Sequence, residues 1–362
     1  MSDAIRQFLK DYHAAPVGDS LPQPLLPDAD DDDDAEEKPK IDFDIEQPGY
    51  HWNAITVPEA PAKDGEYPRR FIDGCQVNVP VLCVRAPAGW PIPLLLSEVG
   101  AIGLRVEGRT FVRDFAHVER VLGFVTDPFP WDHVERFAAA LANDVELPLR
   151  LTAANFPKEK NPFDYEVMRN QAHQRLQQEM LNLERLAFAA RPDLPALMDG
   201  QIAGTIHTEA ARKRPLVIGV VKRLKPAFDH DAGWNTLLNL RPGQRTPVMK
   251  LTGIGGKDQH EADMPRASWY LKLAGGPRLA PNWGYVRIDI PWVQFEEHFK
   301  CDFGFVNRLS RWLMDARCRT ASYARMPVSL EPIVRAEDLL KPLFTPLWRL
   351  ANRLARQAGD MS

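Results

Sequence analysis

The chain has 362 residues, 44% of them hydrophobic and 26% charged, with a formal net charge of −4, so it can bury a sizeable core as two or three domains or as one elaborated one. Its four cysteines, Cys75, Cys83, Cys301 and Cys318, form no Cys-x-x-Cys pair, which argues against a zinc ribbon or a disulfide scaffold and for a reducing cytoplasm. Arg85, Glu98 and Arg105 interrupt the most apolar stretch, so no run approaches the roughly 20 residues needed to span a bilayer, and a soluble, cytoplasmic protein is expected.

The first notable segment is acidic. Residues 28–37 (DADDDDDAEE) hold eight acidic and no basic side chains, and taking them out of a net charge of −4 leaves +4 for the remainder. The run lies in a Pro-rich, weakly apolar stretch, 16–48, too polar to offset the entropy of ordering itself. A division follows: a disordered acidic segment over 1–48, a principal domain over 49–338, and a basic C-terminal helix over 339–362. The acidic segment either serves solubility or competes with nucleic acid for the protein's own basic surface.

Residues 70–85 alternate as two strands meeting at Asp73-Gly74, and 91–106 reads as a third, which together predict an antiparallel meander. Helical spacing follows over 131–142. Asn161 as N-cap, Pro162 at the first position and Pro192 beyond the end bound a helix over 163–191. At 100° per residue its Met168, Ala172, Leu176, Leu183 and Leu186 fall within roughly an 80° arc. Glu179 falls inside that arc. A carboxylate on a buried face must meet a cation, a hydrogen-bond donor, water or a metal.

The chain then enters Ala196-Leu197-Met198-Asp199-Gly200, a short strand closed by the second Asp-Gly. Either Asp-Gly is a turn signal, or its aspartate is a metal ligand at a strand end. Between Ala210 and Lys257 there are ten Lys or Arg against Asp229 and Asp231. Arg223, Lys225 and Arg245 in this stretch are candidates for gripping a phosphate backbone. Strands are expected over 215–221, 268–273 and 285–290, with helices over 303–316 and 339–357, the last broken near Pro342 and Pro346. Gly253 to Lys257 (GIGGK) lacks the spacing of a nucleotide-binding loop, and no Gly-x-Ser-x-Gly elbow is present.

Asp73, Glu179 and Asp199 are the parts of a hydrolytic metal site, since hard divalent ions take oxygen ligands and two of them activate water against a phosphodiester. Lys222, at the end of the 215–221 strand, would hold the scissile phosphate as a point charge.

The order of Phe-Ile-Asp73-Gly74, a long helix with an internal Glu, Leu-Met-Asp199-Gly200, Val217 to Arg223 (VIGVVKR), Trp269-Tyr270-Leu271 and Tyr285 to Pro291 (YVRIDIP) resembles the NurA nuclease family over about 68–340. The resemblance implies an α/β, ribonuclease-H-like mixed sheet flanked by helices. It also implies a homodimeric Mn²⁺- or Mg²⁺-dependent deoxyribonuclease with two ions, working beside a HerA-type hexameric ATPase in DNA end processing or anti-phage defence. By position Asp73, Glu179 and Asp199 would carry the metal. The family's late metal-binding histidine has no counterpart, and Glu337, Glu331 or Asp338 would have to replace it. The rival reading is a catalytically degenerate DNA-binding or regulatory subunit of a translocase complex; a third is an RNA-directed nuclease on the same fold.

Overall fold

The computed structural model describes residues 3–16, 40–145, 148–156, 164–202, 204–222, 231–253, 264–275, 284–320, 323 and 325–359. The acidic run 28–37, Asn161, Pro162 and 254–257 of the GIGGK stretch lie outside them. The chain opens with helix α1 (Asp3–Asp11) and short strands β1 (Ala15–Pro16), β2 (Lys40–Asp42) and β3 (Ile55–Thr56). Three long strands follow, β4 (Arg70–Arg85), β5 (Pro91–Glu107) and β6 (Thr110–Val125). Next come α2 (Trp131–Ala142), β7 (Arg150–Ala154), the long helix α3 (Tyr165–Ala189) and β8 (Ala196–Asp199). Then α4 (Thr208–Lys213), β9 (Val217–Val221), α5 (Asp231–Leu238), β10 (Gln244–Arg245), β11 (Met249–Thr252), β12 (Arg266–Lys272) and β13 (Tyr285–Pro291) complete the strands. Helices α6 (Phe303–Asp315), α7 (Glu331–Leu340) and α8 (Leu347–Gly359) close the described chain.

All the strands join one mixed sheet, whose main path is β2-β11-β12-β13-β9-β8-β4-β5-β6-β7. At its centre the antiparallel meander β4-β5-β6 is extended by β8, parallel to β4, and β9, parallel to β8. This is the expected α/β mixed sheet flanked by helices. The expected break at Asp73-Gly74 is absent: β4 runs through it, with Asp73 opposite Ile102 and Gly74 opposite Ala101 of β5. With fifteen residues of β4 in register against β5, mid-strand pairing outweighs the turn preference of an isolated Asp-Gly dipeptide.

Alternation along β4 separates two cores. Ile72 packs with Ala172, Leu176 and Leu183 of α3 and with Met198. Phe71 packs on the other face with Leu197, Val220, Ile288 and residues of α6 and α7. Asp73 therefore lies on the α7 side of the sheet and Gly74 on the α3 side.

Neither end of the chain stands apart from this core. Ile5, Phe8 and Leu9 of α1, spaced for one helical face, join Leu347, Leu354 and Ala358 of α8 in a cluster with β4, β5 and β6, and Phe8 stacks on Phe137 of α2 at 4.1 Å. The expectation of disorder across 1–48 is thus corrected for α1, whose apolar side chains find a shared core, and for β1 and β2, which pair with β4 and β11. Among the described residues no helix is long and apolar enough to cross a membrane.

The start of α3 also differs from expectation. Its N-cap is Asp164, whose carboxylate accepts from the backbone N–H groups of Glu166 and Val167, the usual way to satisfy a helix's first donors. At the other end, buried Arg70 of β4 donates to both carboxylate oxygens of Asp114 and, at 2.6 Å, to the carbonyl of Ala187 in α3. Arg70 thereby ties the last turn of α3 to the strand that carries Asp73. Removing one partner of such a buried pair leaves the other charge uncompensated, so Arg70→Met is expected to lower unfolding free energy by about 3–5 kcal/mol. Urea denaturation followed by circular dichroism checks this, and a loss under about 1 kcal/mol, the scale of an exposed pair, would show that the tie is not structural.

Candidate metal centre at the end of the parallel strands

Three carboxylates converge where β8 stops. Asp199 is the last residue of β8, and Gly200, at φ 124°, turns the chain away while its N–H donates to the Val220 carbonyl at 2.9 Å. A left-handed φ of this kind favours glycine, so the second Asp-Gly does mark a strand end. β8 pairs with β4 only from Arg70 to Ile72, which leaves Asp73 just past the last pair.

Asp73 is buried, and its Oδ2 has no hydrogen-bond partner among the described residues. Burial, and then the neighbouring Asp199 carboxylate, hold its pKa well above the usual carboxylate range; Lys222 opposes this, and Glu184 and Glu337 add to it. Lys222, immediately after β9, donates from Nζ to Asp199 Oδ2 at 2.6 Å. The structure therefore brings together Asp73, Asp199 and Lys222.

It also brings in Glu184 of α3, which the sequence reading missed. Glu184 is buried, and burial together with the Asp199 charge raises it from 4.5 to about 8, against the opposing hydrogen bond from the Gly74 backbone. Gly74 makes the approach possible, since a Cβ built there would stand 2.5 Å from Glu184 Oε1. The glycine of the first Asp-Gly thus clears space for a carboxylate from the opposite face of the sheet.

Glu179 is not part of this group. Its Oε2 accepts from Arg150 at 2.7 Å, its Oε1 accepts from Thr152 at 2.8 Å, and Arg175 lies 3.1 Å from Oε1. Burial opposes its ionisation, but Arg150 and Thr152 outweigh this and leave its pKa below the ordinary value. The expected metal role is corrected to an ion-pair network binding α3 to β7. The apolar arc placed Glu179 correctly on a buried face but left out Glu184, which is buried beside Ala187 and Phe188 while Leu186 is 57% exposed.

Glu337 of α7 faces the group without completing it. It accepts from the Tyr323 hydroxyl at 2.6 Å and from Lys341 Nζ at 3.0 Å. Burial raises its pKa, but these two partners prevail and lower it overall. Arg245 is corrected outright as a nucleic-acid contact: fully buried, it donates to both oxygens of Glu46 at 2.7 Å and to Asn307 at 2.8 Å. Arg223 and Lys225 lie outside the described residues. Asp289 is enclosed by Arg287 and Ser268 and takes no part.

The donor set of Asp73, Glu184 and Asp199 is all oxygen, as hard divalent cations require. Asp73 Oδ2, buried without a partner, is the atom that a cation would satisfy. Among the described residues no three His, Cys, Asp or Glu side chains lie together as a group that could hold a metal ion; Lys222 is the cation that Asp199 holds. What suits a hard divalent cation is the type of donor.

Neither protein-family models nor curated proteins match the chain. Among solved structures it is similar to the NurA nuclease from Sulfolobus solfataricus, with 12% identity, a TM-score of 0.40, and coverage of 80% of this chain and 82% of that one. That degree of likeness carries nothing about chemistry, and the functional reading rests on the side chains.

A pH dependence follows from Glu184. With its pKa raised in the folded state from 4.5 to about 8, the folded protein holds a proton that the unfolded chain has released across that interval. The associated stability is complete below pH 4.5 and is lost as pH rises toward 8. In chelator-treated protein the urea midpoint is expected to fall across this window, and Glu184→Gln is expected to flatten the fall. An identical slope in both proteins would contradict the assignment.

Proposed function

We propose that this protein is a divalent-metal-dependent nuclease that hydrolyses DNA phosphodiesters, with Asp73, Glu184 and Asp199 as its metal ligands. The observation that carries the reading is the buried, unpartnered Asp73 Oδ2 in the field of two further carboxylates. Burial of like charges without a cation is costly, and a fold retains it where the charges serve a function. A Mn²⁺ or Mg²⁺ ion there would supply Lewis-acid polarisation of a phosphoryl oxygen and a water acidic enough to attack, with a second ion extending this to the leaving oxygen.

The protein's own groups supply the rest. Asp73 and Asp199 stand on neighbouring strands of a rigid sheet, which fixes the spacing of their oxygens. Glu184 enters from α3 and completes the set. Lys222, released from Asp199 once the carboxylates are neutralised, offers an ammonium to a non-bridging phosphate oxygen. Glu337, held by Tyr323 and Lys341, supplies a further carboxylate on the α7 side, where a fourth ligand or an outer-sphere water would lie.

Deoxyribonuclease chemistry is the reading that this donor set and the ordered motifs support together, and a homodimer working with a HerA-type translocase in end processing or phage defence belongs to the same proposal. A regulatory, non-cleaving subunit is the alternative, favoured by the absence of a finished cage among the described residues.

Activity on single-stranded and duplex DNA with Mn²⁺ separates them. Asp73→Ala is expected to abolish cleavage, and Glu184→Gln to reduce it by roughly 100-fold or more, the scale of losing a preorganised charge-stabilising group. Glu179→Gln is expected to stay within a few-fold of wild type while lowering the melting temperature. Full activity in Asp73→Ala, or an inactive wild type, would sink the nuclease reading.

A further inference from the structure

Helix α8 carries an exposed aromatic and cationic face that the carboxylate site does not use. At 100° per residue Trp348, Arg349, Asn352, Arg353 and Arg356 fall within about 140° of one another, and the opposite side, through Leu347, Leu354 and Ala358, is buried against β4, β5 and β6. No acidic residue lies in Leu347–Gly359. Trp348 is 59% exposed, and the Arg349 guanidinium lies over its ring at 5.3 Å from the centroid. Exposing most of an indole forgoes the stabilisation that burying its apolar surface would give, and a helix with a packed apolar side does not need it there.

The start of this helix is held firmly. Buried Glu98 of β5 accepts from the backbone N–H and the hydroxyl of Thr345, both at 2.6 Å, and from Arg120 at 3.1 Å. Glu98 stands opposite Val77 of β4, four residues beyond Asp73 and so about 13 Å along the strand. Glu337 and Ala336 of α7 lie over Asp73 and Cys75, and α8 continues along the same strand toward β1, which pairs at Leu82 and Cys83. The helix that bears the aromatic face is thus anchored on the strand that carries Asp73.

We propose that Trp348, with Arg349 and Arg356, forms a stacking platform for single-stranded DNA leading to the Asp73 site. This deepens the nuclease reading and rests on it for the direction of the strand. Stacking on an indole is indifferent to base identity, and arginines without an intervening acid attract the phosphates. A duplex, whose bases are covered, gains only the charge term.

The test is fluorescence anisotropy of a labelled oligo(dT), with EDTA present so that nothing is cut, set beside cleavage measured in Mn²⁺. Trp348→Ala is expected to weaken oligo(dT) binding roughly tenfold, the order lost with one stacked base, and Trp348→Phe to restore most of it. Duplex binding should change little. Arg349→Gln should weaken both and reduce the salt dependence. Unchanged oligo(dT) affinity in Trp348→Ala would overturn the platform, as would equal losses for single strand and duplex. The same holds if Trp348→Ala converts a wild-type dimer to monomer in sedimentation at unaltered DNA affinity, which would make the face a contact between copies of the chain. If wild type cleaves DNA while Trp348→Ala binds normally, the platform alone falls; if wild type neither binds nor cleaves, the nuclease reading falls with it.

Discussion

Mutual repulsion among Asp73, Glu184 and Asp199 in a partly dry region is the constraint around which the rest of the structure is arranged. At an effective dielectric near 20, two like charges about 4 Å apart repel by about 4 kcal/mol, against a net stability of about 5–15 kcal/mol for a typical domain. The fold has two ways to bear this. Protons remain on Glu184 and Asp73 to a higher pH than usual, and Lys222 neutralises Asp199 directly. A bound divalent cation would remove the need for both, and this is why electrostatics, rather than a preformed cage, marks the site.

Scaffold features follow from the need to hold these groups close. The parallel pairing of β8 with β4 ends at Ile72, which sets the Asp199 and Asp73 carboxylates side by side. Gly74 leaves room for Glu184 to come through from α3. Arg70 pins the last turn of α3 to the same strand, and the network of Arg150, Thr152 and Arg175 on Glu179 pins the helix about two turns earlier. Glu179 and Glu184, five residues apart on one helix, show how partners decide a carboxylate's state: arginines make the first an ionised strut, and burial beside Asp199 leaves the second holding its proton.

Much of this was legible in the residues. The meander, the short strand ending at Asp199, the buried strand before Lys222 and the long helix between the aspartates were all visible as patterns of apolar residues and punctuation. Asp73 and Asp199 were identified from their places in those patterns. Three things were not legible, for physical reasons. Asp73-Gly74 carries the chemistry of a turn, and only long-range pairing with β5 extends it into a strand. Glu179 and Glu184 of α3 are both buried, and only their partners from distant strands, Arg150 and Thr152 for the first and Asp199 for the second, separate a strut from the carboxylate cluster. Arg245 reads as a surface cation, and the Glu46 that buries it lies nearly two hundred residues away in sequence.

The most direct test is titration of Mn²⁺ into chelator-stripped protein by isothermal calorimetry, without nucleic acid. Saturable binding in the wild type, lost in Asp73→Asn, strongly weakened in Glu184→Gln and retained in Glu179→Gln, is the predicted result. Binding that survives both Asp73→Asn and Glu184→Gln, or a wild type that binds no Mn²⁺, would contradict the assignment of these carboxylates as a metal centre.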